Sequence, residues 1–546
     1  MTSDVWSPPP AGREPAGAAI LGWLRDPHAP RVCVISGDED CGKSMFLAWL
    51  VEQATQPNVR VERRVHGLVP LAGHSALTAS WLLAEQLGSA ARTPGDLIAA
   101  MAADRRRTVI VLPDLHHSAA PEAIEGLIRA LARLEHVRLI VETREISAEL
   151  SALAPAVMDL GAAQWRDEKR YAVWAASAPS PEPDALSGSQ QATPNLDDPS
   201  SVCRLDPVQV TALYELSADS HGGLRAAWLR AGGALTRPCP PHERALVLWT
   251  ALGDVADPRV ADELRTLAHG AGWTVRWKRV RGDIRPPWPG PALSLGIGVG
   301  KTSGSAAVVD HQGIVRLITA EDGQAQSRLP QATPGATAVA LGRDGSVAVL
   351  DRHGHLTLQQ SPTVSRPTGI ASLLETEAKP FEQLVAAVEG FATAITCVGD
   401  ALAYGDGVGT VRVVTLVGGT ASVAHEVLHK GAVAALAGLE LAEGTTLIYS
   451  GGQDGRVRMW APGRAPLNTA VRERDCAVTA LSASQTSAGP VLVIGWDDGL
   501  LEYLAVGAEP AERFFRPGAS VRSVAALADG DVMVGTDEML VCLTPS

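Results

Sequence analysis

Residues that would mark a secreted, membrane-spanning or metal-holding protein are scarce in this chain of 546 residues. No apolar stretch reaches the roughly 18 residues that a membrane-spanning helix requires. The N-terminal MTSDVWSPPP lacks the basic-then-apolar order of a signal peptide. The seven cysteines (Cys33, Cys41, Cys203, Cys239, Cys397, Cys476 and Cys542) are scattered, odd in number and never at metal-ligand spacing. Several lie in apolar strand patterns, where cysteine packs as a small hydrophobe, so a reduced, cytosolic chain is expected. Basic charge is also in deficit. Forty-seven Lys and Arg stand against 60 Asp and Glu, a formal charge of −13, which argues against nucleic acid as the main partner and against a DNA-tracking motor. The basic cluster Arg276, Lys278, Arg279 and Arg281 reads as a solvated strand or linker.

What is present is enough apolar material, 46% of residues, for several cores. Up to about residue 162, apolar runs alternate with helical patterns. RVCVI (31–35), VRVERRV (59–65), TVIVL (108–112), RLIVE (138–142) and AVMDL (156–160) read as strands. KSMFLAWLVEQA, SALTASWLLAEQL and PEAIEGLIRALARL read as helices between them. That alternation predicts a doubly wound α/β domain with a parallel sheet. The helix-like RDEKRYAVWAA follows, then SAPSPEPDALSGSQQATPNLDDPSS, whose composition predicts a disordered linker or exposed loop. DPVQVTALYELSA, GLRAAWLRAGGAL, PHERALVLWTALG and ADELRTLAHG predict four further helices.

From WTVRWKRV at residue 273 the pattern becomes strand, tight turn, strand, and it recurs every forty to fifty residues. The units are AAVVDHQGIVRLI, VAVLDRHGHLTLQ, LAYGDGVGTVRVV, IYSGGQDGRVRMW, LVIGWDDGLLEYL and VMVGTDEMLVCL. This is the spacing of propeller blades. Six units are counted, and the segment between residues 360 and 392 is either an insertion or a degenerate seventh. Each blade buries its faces against its neighbours, so the ring must close. WTVRWKRV is a candidate for the outer strand of the last blade. Asp310, Asp351, Asp406, Asp498 and Asp537 each hold a turn.

The loop GDEDCGKS sits between the first strand and a helix. Gly37, four residues, then Gly42, Lys43 and Ser44 form a P-loop pattern, in which backbone N–H groups and a helix N-terminus cradle phosphates. Gly37, Asp40, Cys41, Gly42, Lys43, Ser44 and Met45 are therefore nucleotide-binding candidates. Lys43 would reach the β- and γ-phosphates, and Ser44 would place its hydroxyl on Mg²⁺. Cys41, at the helix start beside Lys43, is a candidate for a lowered thiol pKa. Asp38, Glu39 and Asp40 oppose a triphosphate, by about 1 kcal/mol per close pair with water-like screening. Outward-pointing side chains would reduce that. At the end of TVIVLPDLHHS, Asp114 is the candidate metal-side and catalytic carboxylate. His116 and His117 are read as polar filler.

HKGAVAALAGLELAEGTTLIYSGGQDGRVRMW resembles a WD40 repeat. That resemblance implies a buried structural set of His429, Ser450, Asp454 and Trp460. AGREP (11–15), ETRE (142–145) and LDPVQVTALYELSADSHGGLRAAWLRAG, together with the P-loop, resemble the STAND class of P-loop NTPases, which includes NACHT and NB-ARC proteins. The resemblance covers about residues 11 to 235. It implies that Arg13 and Glu14 close over the base, that Thr143 and Arg144 form a sensor, and that Arg225 lies on a helical lid where the family has Pro. It also sets Pro113 at the family's metal-side Asp and His116 and His117 at its later acidic pair, with Asp114 one residue late.

The chain is thus expected to be multidomain. Residues 1–162 form a P-loop NTPase core, 163–204 a helix plus disordered linker, 205–272 a helical lid and spacer helices, and 273–546 a WD40-like propeller of six to seven blades. The expected function is an ATP/ADP-binding, Mg²⁺-using signalling switch with slow or lost hydrolysis, a weak ATPase at best. Its propeller would bind a protein partner. Because the chain begins almost at the Gly-Arg-Glu motif, an effector would act in trans, and nucleotide-dependent homo-oligomers would follow from the family. The rival reading is a WD40 interaction scaffold with a decayed P-loop module. Membrane and nucleic acid are not expected partners.

Overall fold

The computed structural model describes residues 6–56, 59–177, 194–280, 292–362, 379–441, 444–506 and 511–546. The expected linker falls largely on residues 178–193, which lie outside the described residues, as does Arg281 of the basic cluster. The chain divides into two compact units, residues 1–196 with 204–219, and residues 197–203 with 220–546.

The first unit runs α1 (Glu14–Arg25), β1 (Val32–Ser36), α2 (Lys43–Ala54), β2 (Gly67–Leu68), α3 (Ala76–Gln86), α4 (Pro94–Ala103) and β3 (Thr108–Leu112). It continues through α5 (Pro121–Ala132), β4 (Val137–Glu142), α6 (Ala148–Ser151), β5 (Ala156–Asp159) and α7 (Glu168–Ser177). The strands form one parallel sheet in the order β2-β3-β4-β1-β5. All of β1, β3 and β4 is buried, as their largely apolar runs require of strands covered on both faces; Arg138 of β4 is buried by donating to the Trp23 and Asp26 carbonyls. Alternation sorts the side chains. Val32 and Val34 join Ile110, Leu112, Leu139 and Val141 in a core with α3, α4 and α5, while Cys33 and Ile35 face Phe46, Leu50 and Ile20 of α2 and α1. This is an α/β domain.

The expected strand at 59–65 is not formed. Val61–Arg63 is a single 3₁₀ turn, and the edge strand lies later, at Gly67–Leu68. Arg60, Glu62, Arg63 and Arg64 cannot all be buried in a two-sided sheet. Arg63 instead tucks its guanidinium 5.7 Å from the Trp6 ring.

In the second unit come residues 199–203 of α8 (Pro199–Arg204), then α10 (Leu224–Ala231), α11 (Pro241–Ala251) and α12 (Pro258–Leu267), with α9 (Pro207–Leu216) in the first unit. The helices expected from four amphipathic stretches all form. After them β6 (Trp273–Val280) leads into six sheets. The first blade is β7 (Ser294–Ile297), β8 (Ser305–Val309), β9 (Val315–Thr319) and β10 (Ala325–Arg328), and the second β11 (Ala336–Leu341), β12 (Ser346–Asp351) and β13 (Leu356–Gln360). The third is β14 (Ala392–Val398), β15 (Ala401–Asp406), β16 (Thr410–Val417) and β17 (Thr420–Val427); the fourth is β18 (Val433–Glu440), β19 (Thr446–Gly452), β20 (Arg456–Trp460) and β21 (Arg472–Glu473). The fifth is β22 (Val478–Thr486), β23 (Gly489–Trp496), β24 (Leu501–Ala505) and β25 (Ala511–Phe515), and the sixth β26 (Ser523–Ala526), β27 (Val532–Gly535) and β28 (Met539–Pro545) with β6.

Inner strands β7, β11, β14, β18, β22 and β26 each neighbour the next, and β26 returns to β7. The ring is a six-bladed propeller. A seventh blade is excluded because β11 and β14 are direct neighbours; between β13 and β14 the described residues place only a short helix, α13 (Pro380–Ala386). Closure is by β6, whose residues Trp273–Val280 pair antiparallel with Pro545–Met539. Trp273 is 1% exposed and donates its indole N–H to Phe514 O at 3.0 Å. Gly323 must be glycine, since φ is +67° and a β-carbon would come within 2.6 Å of the Trp277 ring.

Trp273→Ala should therefore destabilise the second unit by about 3–5 kcal/mol. Denaturant titration of the intact chain should show the loss in the propeller transition; a change under about 1 kcal/mol would mean that β6 does not hold the ring closed.

Candidate functional site

The arrangement of the first sheet fixes where a ligand can sit. The chain leaves β1 toward β2 on one side and leaves β4 toward β5 on the other, so α2 and α6 pack on opposite faces. The crevice beyond the carboxyl ends of β1 and β4 is thus the topological switch point, where open α/β sheets take ligands. The loop 37–42 fills it.

Gly37 (φ +132°) and Gly42 (φ +87°) take backbone angles that side chains resist, and a β-carbon on Gly37 would lie 2.9 Å from Cys41 Sγ. Asp40 bends the loop with φ +59°. Helix α2 then starts at Lys43, so its first N–H groups, which have no acceptor within a helix, open on the loop. Lys43 is 8% exposed and turns back into the loop, donating to Gly37 O at 2.8 Å and Asp38 O at 2.9 Å. Ser44 and Met45 are exposed on the first turn. Asp38, Glu39 and Asp40 are all exposed, and Glu39 pairs with Arg144 outside the loop. The three acids that would oppose a phosphate therefore point to water.

The carboxylate beside Lys43 is one that the sequence pattern did not single out. Glu142, the last residue of β4 and 2% exposed, sets Oε1 3.7 Å from Lys43 Nζ. Its Oε2 accepts the Asp114 N–H at 2.7 Å. At an effective dielectric of 20, unit charges this close interact by roughly 4 kcal/mol before desolvation. Glu142 is thus the buried counter-ion of Lys43, whose short hydrogen bonds go to the loop carbonyls. Asp114, by contrast, adopts φ +60° just past Pro113 and makes no ion pair with Lys43 among the described residues. The signal in sequence was an acid closing the apolar run Leu139–Val141. His116 and His117 lie in a 3₁₀ turn with their ring centroids 4.0 Å apart.

Arg13 is 1% exposed. It donates to Leu160 O at 2.6 Å and to Cys41 O, and it stacks 4.9 Å from the Tyr171 ring of α7. Glu14 pairs with Arg170, and Trp174 approaches Gly42. The Gly-Arg-Glu segment thus ties the loop to α7. Thr143 is buried and donates to Glu145 O at 3.0 Å. Burial raises the Cys41 thiol pKa against the opposing pull of Lys43 and Arg13, so the lowered pKa expected for it is not found. Arg225 lies on α10, in the second unit. The helices expected to form one lid are divided, α9 to the first unit and α10 to the second. Among the described residues no group of three or more His, Cys, Asp or Glu could hold a metal by itself. A Mg²⁺ at the loop fits only as a phosphate-borne ion that takes a hydroxyl and one carboxylate from the protein.

In the fourth blade His429 is buried between Asp454 (Nδ1 to Oδ1, 3.0 Å) and Ser450 (Nε2 to Oγ, 2.8 Å). A carboxylate only accepts, so Nδ1 carries the proton and Nε2 accepts from the Ser450 hydroxyl. Asp454 also accepts the Lys430 and Arg456 N–H groups. Trp460 stays outside this set and donates to Arg464 O at 2.9 Å.

No family model matches this chain, and no curated protein does. Among solved structures, U3-55K is similar over 49% of this chain and 98% of its own, at 12% identity and TM-score 0.32. The WD40 repeats of RRP9 are similar over 50% and 100%, at 11% identity and TM-score 0.33.

The repeated turn aspartates prove to be of two kinds. Asp310, Asp351 and Asp406 stand three residues before the turn glycine, and each accepts the N–H groups two and four residues on. Asp454 and Asp498 stand one residue before it and reach across to the preceding loop. Arg474 takes the place that His429 has one blade earlier, gripping Asp498 at 3.0 and 2.7 Å, with Arg516 adding a further bond at 2.7 Å. In the sixth blade the expected Asp537 is not the turn residue. Thr536 Oγ1 accepts the Glu538 and Met539 N–H groups, while Asp537 pairs with Arg522. The inner strands enclose a channel of about 690 Å³, whose lining mixes apolar residues such as Val339 and Leu436 with polar and charged ones such as Thr337, Arg343, Glu440 and Arg522.

Burial lowers the His429 pKa despite Asp454, so the unfolded chain takes up that proton first as pH falls below about 6.5. Asp454 is held below its usual value, burial being outweighed by the Lys430 and His429 hydrogen bonds. Asp498 is held at about 2, burial being outweighed by Arg474 and Arg516. All three stabilise above their unfolded pKa values and lose that contribution on acidification. Propeller stability should fall steadily from pH 7 to pH 3. Asp498→Asn, which removes the negative charge that Arg474 and Arg516 share, should cost about 3 kcal/mol at pH 7 and flatten the slope below pH 4. Thermal melts across pH test both; an unchanged slope in the variant would refute the assignment.

Proposed function

We propose that this protein is a nucleotide-responsive scaffold. Its first unit binds ATP or ADP at the loop 37–45, and its second offers a six-bladed, WD40-like platform to a protein partner. The observation that carries the nucleotide reading is the buried Lys43 ammonium, aimed into a glycine-hinged loop at the start of α2 and beyond the end of β1. A triphosphate tail would replace the two loop carbonyls as its acceptor. It would also meet the N–H groups at the helix start. The outward-facing Asp38, Glu39 and Asp40 remove an objection to anion binding there. Arg13, bonded to Cys41 O in the loop and to Leu160 O, is suited to tie base recognition to phosphate recognition.

Hydrolysis is slow or lost in this reading. Pro113 supplies no carboxylate at the end of β3, and Asp114 spends its backbone turning the chain toward Glu142. The partner reading rests on the propeller itself, a closed ring of six blades with open rims around a channel lined by both apolar and polar residues. No helix among the described residues is long and apolar enough to cross a membrane.

Thermal melting of the intact chain with ATP, ADP and Mg²⁺ tests the first half. At a hundred times its dissociation constant a ligand should stabilise the first unit by about 2.7 kcal/mol. Lys43→Ala should abolish that shift while leaving the propeller transition unmoved. If no nucleotide shifts the melt of the wild-type chain, the interaction scaffold with a decayed loop stands instead.

A further inference from the structure

We infer that Glu142, and not Asp114, is the carboxylate that receives Mg²⁺, through water, on the side of the site facing Lys43. The inference rests on the nucleotide reading above and specifies its metal side. Three observations carry it. Pairing sets Glu142 level with Ile35 of β1, two residues before Gly37, and one step beyond the Leu112–Val141 pair, so its side chain leaves the sheet at the switch point itself. One carboxylate oxygen is fixed by the Asp114 N–H at 2.7 Å, which leaves the other, 3.7 Å from Lys43 Nζ, to face the phosphate side of the loop. And the residue at the end of β3 is Pro113, which has no carboxylate, while Asp114 takes a left-handed backbone and gives its N–H to Glu142.

The charge balance then dictates a sign. Lys43 and Glu142 nearly neutralise each other, so a bare triphosphate entering between them meets one favourable and one opposing charge. A divalent cation on the phosphates converts the opposing carboxylate into a partner. Placement of this acid on β4 rather than β3 also explains why its amide anchor comes from Asp114. The neighbouring strand end must turn aside to deliver an N–H to it.

The test is a titration of the full chain with ATP carrying a fluorescent methylanthraniloyl group, in excess Mg²⁺ and in EDTA. Wild type, Glu142→Gln and Asp114→Asn are compared. The wild type and Asp114→Asn should gain at least tenfold in affinity from Mg²⁺. Glu142→Gln should gain less than threefold, while binding in EDTA at least as tightly as wild type, which also shows that the variant folds. Retention of the full Mg²⁺ gain by Glu142→Gln, its loss in Asp114→Asn, or a tenfold weakening of Glu142→Gln in EDTA would overturn the inference. Wild-type binding with no Mg²⁺ gain defeats this inference alone; no wild-type binding in either buffer defeats the nucleotide reading with it.

Discussion

Where a strand ends inside a packed domain, its last N–H and C=O groups lose their ladder partners and must find others. Both units of this protein are organised by that constraint. In the first, Lys43 serves the carbonyls of Gly37 and Asp38, Arg13 serves those of Cys41 and Leu160, and Glu142 serves the amide of Asp114. In the second, a carboxylate or a hydroxyl accepts the turn amides between the middle strands of each blade. Charged side chains are the partners in most cases because their hydrogen bonds are about twice as strong as neutral ones.

The same constraint separates a site from a scaffold. In the propeller the turn acids are tied to the amides and arginines of their own blades. Asp351 is committed to the His353 and His355 amides, and Asp498 to two arginines. Those groups hold geometry; Asp310 likewise gives one oxygen to two turn amides and sets the other 3.5 Å from Arg316. At the loop, Lys43 is held by two backbone carbonyls, and one oxygen of Glu142 faces it without a short hydrogen bond. Exchangeable partners around a buried charge are what a binding site needs and what a structural turn avoids.

Substitution within the ring follows the same logic. Histidine, arginine and threonine all solve the turn problem, but each from a different distance. His429 reaches one acid and one hydroxyl at once, whereas Arg474 spans both oxygens of Asp498. A blade can therefore lose the recognisable WD40 residues and keep the fold. Only the fourth retains His429, Ser450 and Asp454 as a bonded set, and even there Trp460 turns to Arg464.

Much of this was legible in the chain. The strand–loop–helix at 31–54, the six strand–turn–strand units and the role of WTVRWKRV as a closing strand follow from local periodicity and from the need of each blade for neighbours. Period and turn chemistry are properties of adjacent residues, so sequence alone determined them. Tertiary structure decided what depends on registration between distant segments. It moved the edge strand from 59–65 to Gly67–Leu68, because burial on two faces excludes a run of charges. It fixed six blades by setting β11 against β14, and it divided the turn aspartates into two kinds. It also brought Glu142 to Lys43 across ninety-nine positions, since the order of strands in a parallel sheet is set by how helices pack on its faces and not by any pattern within a strand.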